Sequence, residues 1–198
     1  MPADRVLVLA CGALSRELRE IVDLNHLEHV DVQCLPARLH NTPADIPAAV
    51  EARLADVADG YGQILVGYAD CGTAGRLDEV CERHGTTRLP GAHCYEFYAG
   101  SRRFAELFDD EPGSFYLTDY LVRFFDRIVI QGLGLDRHPE LRDDYFGNYR
   151  RLVHLAQSDD PDLTERARAA AERLGLEYPH EPTTYGELGT SVVEIASR

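Results

Sequence analysis

The sequence predicts an α/β fold, a mostly parallel sheet of four to five strands with helices on both faces, running into a helical C-terminal part. Three observations carry this. Short apolar runs rich in branched residues recur through the first 118 residues, each is followed by apolar positions at helical spacing, and a length of 198 residues suits one large domain with its own core. Strands that alternate with helices imply right-handed crossovers, and therefore parallel neighbours.

Residues 5–10 (RVLVLA) have the pattern of a strand covered on both faces. After the Cys11-Gly12 turn, Leu14, Leu18, Ile21 and Val22 recur at helical spacing to about Asn25. Residues 30–35 give a second strand. Thr42-Pro43 then open a helix with Ile46, Val50, Leu54 and Val57 on one face, closed by Gly60. A third strand covers residues 63–68 (QILVGY), and a third helix covers 76–84 with Leu77, Val80 and Cys81. Residues 87–89 form a short fourth strand, followed by the Pro90-Gly91 turn and an aromatic helical stretch through Phe97, Tyr98, Phe104, Leu107 and Phe108. Residues 114–117 make a fifth. From Thr118 the chain reads as helical over 120–131, 139–157 and 161–174, with 176–178 as an edge strand. The expectation is a single α/β domain over residues 1–198, sheet-forming to residue 118 and mainly helical over 119–198.

Hydrophobic residues make up 44% of the chain and charged residues 27%, too apolar a balance for a disordered protein. With 34 acidic against 20 basic side chains the formal charge is −14, which repels nucleic acid and anionic lipid. No run approaches the roughly 20 apolar residues of a spanning helix, and residues 1–6 lack the marks of an export signal, so a cytoplasmic location is expected. The five cysteines, Cys11, Cys34, Cys71, Cys81 and Cys94, are an odd number, which fits reduced thiols rather than a disulfide framework.

In open parallel sheets ligands bind beyond the carboxyl ends of the strands, where loops and helix N-termini converge. Cys11, Cys34, Cys71 and Cys94 all follow or end expected strands. A site holding His40, Cys71 and Cys94 would offer one nitrogen and two sulfurs, the donor mix preferred by zinc or a similar transition metal, with a fourth position for water or substrate. The alternative is a set of thiols packed as small apolar side chains beneath the loops. Around the three stand candidate catalytic groups: Cys11 as nucleophile or neighbouring thiol, Tyr68 and Asp70 as orienting groups, His93 and Glu96 as an acid/base pair. Gly72, Thr73 and Gly75 form a loop suited to cradling a phosphate or carboxylate, or simply to turning the chain. Cys81, four residues after Leu77 on a helix face, and Cys34, at a strand end, read as core. His26, His29, His84, His138, His154 and His180 show no convergent spacing and read as structural or surface residues.

Cys11 after the first strand, Leu35-Pro36 with Leu39-His40 and Pro43, Tyr68 through Cys71-Gly72, and Cys94 followed by Gly100-Ser101 resemble a prokaryotic family known as domain of unknown function 1638. The resemblance covers most of the chain to about Thr118. Tyr68-Ala69 stands where the family has Tyr-Gly, and His93 where it has an aspartate, which changes the charge beside Cys94. The resemblance implies an association with corrinoid-dependent methyl transfer, in which a thiolate-bound zinc holds a thiol acceptor deprotonated for attack on a methyl group.

Three functions follow as expectations. The first is a metal-dependent enzyme of small-molecule or one-carbon metabolism. The second is a cofactor-free, racemase-like enzyme in which Cys11 and Cys94 act as acid and base. The third is a non-catalytic module that presents a metal or corrinoid to another protein. A small-molecule substrate is expected, with a further copy of the chain or a corrinoid-system protein as partner.

Overall fold

A computed structural model describes residues 4–198; residues 1–3, part of the stretch tested above for an export signal, lie outside it. The chain forms two compact units, one comprising the residues through Phe97 together with Tyr185–Arg198, the other Tyr98–Thr184. The sequence reading instead places its division after Thr118.

The first unit contains β1 (Val6–Cys11), α1 (Ser15–Leu24), β2 (Val30–Leu35), α2 (Ile46–Val57), β3 (Gln63–Gly67), α3 (Arg76–His84) and β4 (Thr87–Arg88). Its four strands are all parallel, in the order β2-β1-β3-β4. Leu7, Val8, Leu9 and Ala10 are fully buried because β1 is central and covered on both faces, the reason for its unbroken apolar run. Leu7 and Leu9 join Ile64 and Val66 in a core with Ile46, Val50 and Leu54 of α2 and Leu77, Val80 and Cys81 of α3. Alternation turns Val8 and Leu65 to the other face. There α1 and the C-terminal helix Gly186–Ala196, which no sequence pattern was used to predict, pack together, burying Leu18, Ile21, Leu188 and Val192. Cys81 is core, as expected. Cys34 is not: β2 is an edge strand with only Val30 fully covered, and Cys34 is exposed.

After α4 (Cys94–Ala99) the second unit adds α5 (Ser101–Asp110), β5 (Ser114–Thr118), α6 (Asp119–Arg123), α7 (Arg142–Phe146), β6 (Arg151–Ala156), α8 (Pro161–Leu174) and β7 (His180–Pro182). The three strands form a separate parallel sheet in the order β5-β6-β7. The fifth strand of the sequence reading therefore exists, but it belongs to this second sheet. The helix expected over residues 139–157 is corrected as well. It is cut to α7 by Gly147, and RLVHLA, buried from Leu152 to Ala156, forms the middle strand. Residues 120–131 divide into α6 and a π-helical turn, Asp126–Ile130, and the edge strand sits later than 176–178, where only Glu177 bridges to Arg151. No helix of the described residues is long and apolar enough to cross a membrane.

Candidate functional site

The order β2-β1-β3-β4 reverses direction between β1 and β3: β1 leads outward to β2, and the chain then returns across it to β3. Crossovers that leave in opposite directions open a crevice at the carboxyl ends of those two strands. A cavity of about 320 Å³ occupies that place, with Cys11 from the end of β1, His40 from the turn after β2, Tyr68 and Cys71 from the loop after β3, and Cys94 at the start of α4. Its apolar wall is Leu14, Pro43 and Ile46, and its residues include no lysine or arginine and no aspartate or glutamate. Gly67 lines the cavity, and a Cβ there would stand 2.5 Å from the Ala10 Cβ on the neighbouring strand.

Backbone hydrogen bonds bring the sulfurs together. Asp70 N–H donates to Gly91 O at 3.1 Å and Cys71 N–H to Ala92 O at 2.8 Å, tying the loop after β3 to the loop after β4. Within the first loop Cys71, Gly72, Ala74 and Gly75 all have positive φ, a conformation that is costly for Cys71 and Ala74. The Asp70 carboxylate holds it: it accepts from the Gly75 N–H at 2.9 Å, the Thr73 hydroxyl at 3.0 Å, the Gly72 N–H at 3.1 Å and the Ala74 N–H at 3.3 Å. The Gly75 bond foremost, with the others, lowers the Asp70 pKa. The N–H groups a bound phosphate would need are therefore already given to the chain's own carboxylate. Of Gly72, Thr73 and Gly75, only Gly72 lines the cavity.

The Cys71 and Cys94 thiols are close neighbours on the cavity wall. The interaction of the two thiols lowers the Cys71 pKa and, together with burial, raises that of Cys94 well above its ordinary range. Burial pushes Cys11 up to about 11 and lowers His40, which is a neutral imidazole at neutral pH. Tyr68 is 3% exposed, and its hydroxyl is buried without a hydrogen bond of sound geometry, beside the Cys11 sulfur. Burial above all raises its pKa. His93 stands exposed on the cavity wall. Glu96 does not line the cavity; it accepts from the Ala92 N–H at 2.9 Å and closes the turn that presents Cys94. Asp70 and Glu96 thus position loops rather than face a ligand.

The family described as Protein of unknown function (DUF1638) matches residues 34–192. The chain belongs to the DUF1638 family. The match takes in His40, Cys71 and Cys94 and begins after Cys11. No curated protein and no solved structure is significantly similar to it.

The sequence reading passes over a second polar cluster, in the other unit. His154, fully buried on β6, meets Asp119 Oδ1 through Nε2 at 3.0 Å and the Tyr178 hydroxyl through Nδ1 at 3.2 Å. Asp119 also accepts from the Ser158 hydroxyl at 2.5 Å and the Gln157 N–H at 3.3 Å. Burial, the largest influence on Asp119, would raise its pKa, but the His154 and Ser158 hydrogen bonds outweigh it and the net shift is downward. The available signals were an acidic residue directly after a strand and a histidine inside an apolar run.

Proposed function

We propose that this DUF1638 protein binds a thiophilic metal ion, zinc foremost, through Cys71, Cys94 and His40, and acts on a small uncharged molecule beside it. What carries this is the Cys71–Cys94 contact in a cavity that also holds His40. Two thiolates on one tetrahedral zinc stand roughly 3.8 Å apart, given Zn–S of about 2.3 Å, so neighbouring thiols on one wall suit such an ion. Once ionised, sulfurs in a wall without lysine or arginine would need a counter-charge, and a cation would supply it. Among the described residues no three His, Cys, Asp or Glu side chains already stand as a ligand set, so binding draws His40 toward the sulfur pair. A bound zinc would lower the pKa of a coordinated thiol and hold it as a nucleophile, the chemistry that thiol methylation by a corrinoid-system partner requires.

The opposite shifts of the Cys71 and Cys94 thiols favour a second reading, metal-free acid/base chemistry on a carbon acid. Against a carboxylate substrate stand the absence of a cationic residue in the cavity wall and the N–H groups already engaged by Asp70. Elemental analysis of the untagged protein, with His40→Ala, Cys71→Ser and Cys94→Ser, separates the two. One metal per chain, lost in all three variants, is the expected result; a metal-free protein that takes up none on incubation with zinc leaves the two-thiol enzyme.

A further inference from the structure

We propose that Cys71 and Cys94 form a reversible disulfide by exchange with a small uncharged disulfide admitted to the cavity, so that the site has a dithiol state and an oxidised, closed one. The exchange needs no metal, and where the site binds an ion, oxidation withdraws two of its ligands. Far apart in the chain, the two thiols are close neighbours because the Asp70 and Cys71 N–H groups donate to Gly91 O at 3.1 Å and Ala92 O at 2.8 Å, joining the loop after β3 to the loop after β4. Each of the two has the other as its foremost partner, whereas Cys11, the third cysteine on the wall, lies against the Tyr68 hydroxyl. The remaining cysteines are placed elsewhere: Cys81 is buried in the core and Cys34 is exposed on the edge strand β2.

The backbone at Cys71 is a separate observation. Its φ of 49° is left-handed and costly for any residue but glycine, and the Asp70 carboxylate accepts the hydrogen bonds that keep the loop in that conformation. Strain held in place by its surroundings gathers at functional sites. The cavity sets the class of reagent. A space of about 320 Å³ walled by Leu14, Pro43 and Ile46, with no lysine, arginine, aspartate or glutamate, admits a neutral disulfide more readily than an ionised one. In the first step one thiolate of the pair attacks a sulfur of R–S–S–R, forming a mixed disulfide with the protein and releasing RS⁻. The second thiolate then attacks the protein sulfur of that mixed disulfide, forming the Cys71–Cys94 bond and releasing the other RS⁻. The two thiol protons end on two RSH, and the two electrons lost by the cysteines are gained by the entering disulfide. An accessible disulfide of this kind is labile, so excess thiol runs the exchange backwards.

Reduced, metal-stripped full chain incubated with 2-hydroxyethyl disulfide, quenched with N-ethylmaleimide and mapped by peptide mass spectrometry tests this. Expected are a Cys71–Cys94 cross-linked peptide and its full return to the dithiol in dithiothreitol. In Cys94→Ser the cross-link should be lost and a mixed disulfide should accumulate at Cys71; in Cys71→Ser it should accumulate at Cys94. With dithiodiglycolate, which carries two carboxylates, the cross-link should form several-fold more slowly relative to modification of the exposed Cys34. Equal ratios for the two reagents overturn entry through an uncharged cavity. Mixed disulfides that persist at Cys71 or Cys94 in the native protein, a cross-link to Cys11 in place of this one, or an unmodified pair while Cys34 reacts overturn the exchange itself. Should a serine variant fail to fold, the map of the native protein alone decides. A native protein that forms the cross-link but takes up no zinc keeps the disulfide and removes the metal reading.

Discussion

At the proposed site the pKa of the Cys71 thiol is lowered chiefly by one neighbour. The Cys94 S–H bond is the largest influence lowering its pKa, while burial works against it. The rate of Cys71 alkylation by iodoacetamide should therefore follow a titration with its midpoint below the ordinary thiol value of 9.0. In Cys94→Ala the donor is gone and the burial remains, so the midpoint should move upward. Peptide-resolved mass spectrometry of the metal-stripped protein across pH reads both, and an unmoved midpoint would show that the pair is not coupled. At this scale the sequence was legible where chain position alone decides placement. Cys11, His40, Cys71 and Cys94 all follow strands and all line the cavity. It was not legible where local hydrogen bonding redirects a side chain. Asp70 and Glu96 sit in the same loops, yet each turns to cap backbone N–H groups, a choice set by the conformation of its turn.

Among the elements, β1 and β3 pack tightly where Ala10 is paired with Gly67. A methyl at position 67 would need Ala10 to give way, and both residues lie on central, fully covered strands. Gly67→Ala should cost roughly 1–3 kcal/mol in chemical denaturation. Ala10→Gly in the same chain should recover much of that loss, since it removes the atom struck; no recovery would place the strain elsewhere. Elements with a clean period were legible: residues 30–35 and 76–84 begin and end where the sequence placed them. β6 was not, because a histidine and flanking arginines disguise an apolar run. What makes it a strand is its parallel pairing with β5 and β7, contacts between residues far apart in the chain.

In the molecule as a whole the sequence supported parallel β/α architecture but not two sheets, since the number of strands says nothing about which neighbours they choose. Each unit carries its own polar centre, and the two should answer differently to a metal. An ion that binds only the folded form stabilises it by mass action, by about 2.7 kcal/mol at one hundred times its Kd. That stabilisation should be felt most where ligand-bearing loops must open for the ion to leave. Zinc at saturating concentration should therefore slow amide hydrogen exchange in residues 37–45, 70–75 and 91–96, whose loops present His40, Cys71 and Cys94. Amides around His154 and Asp119, whose partners are already in place, should change far less. Exchange read by mass spectrometry with and without zinc makes the comparison within one sample. Equal slowing in both regions would mean that the ion is not held at the β1–β3 crevice, and slowing confined to the His154 region would move the site to the second unit.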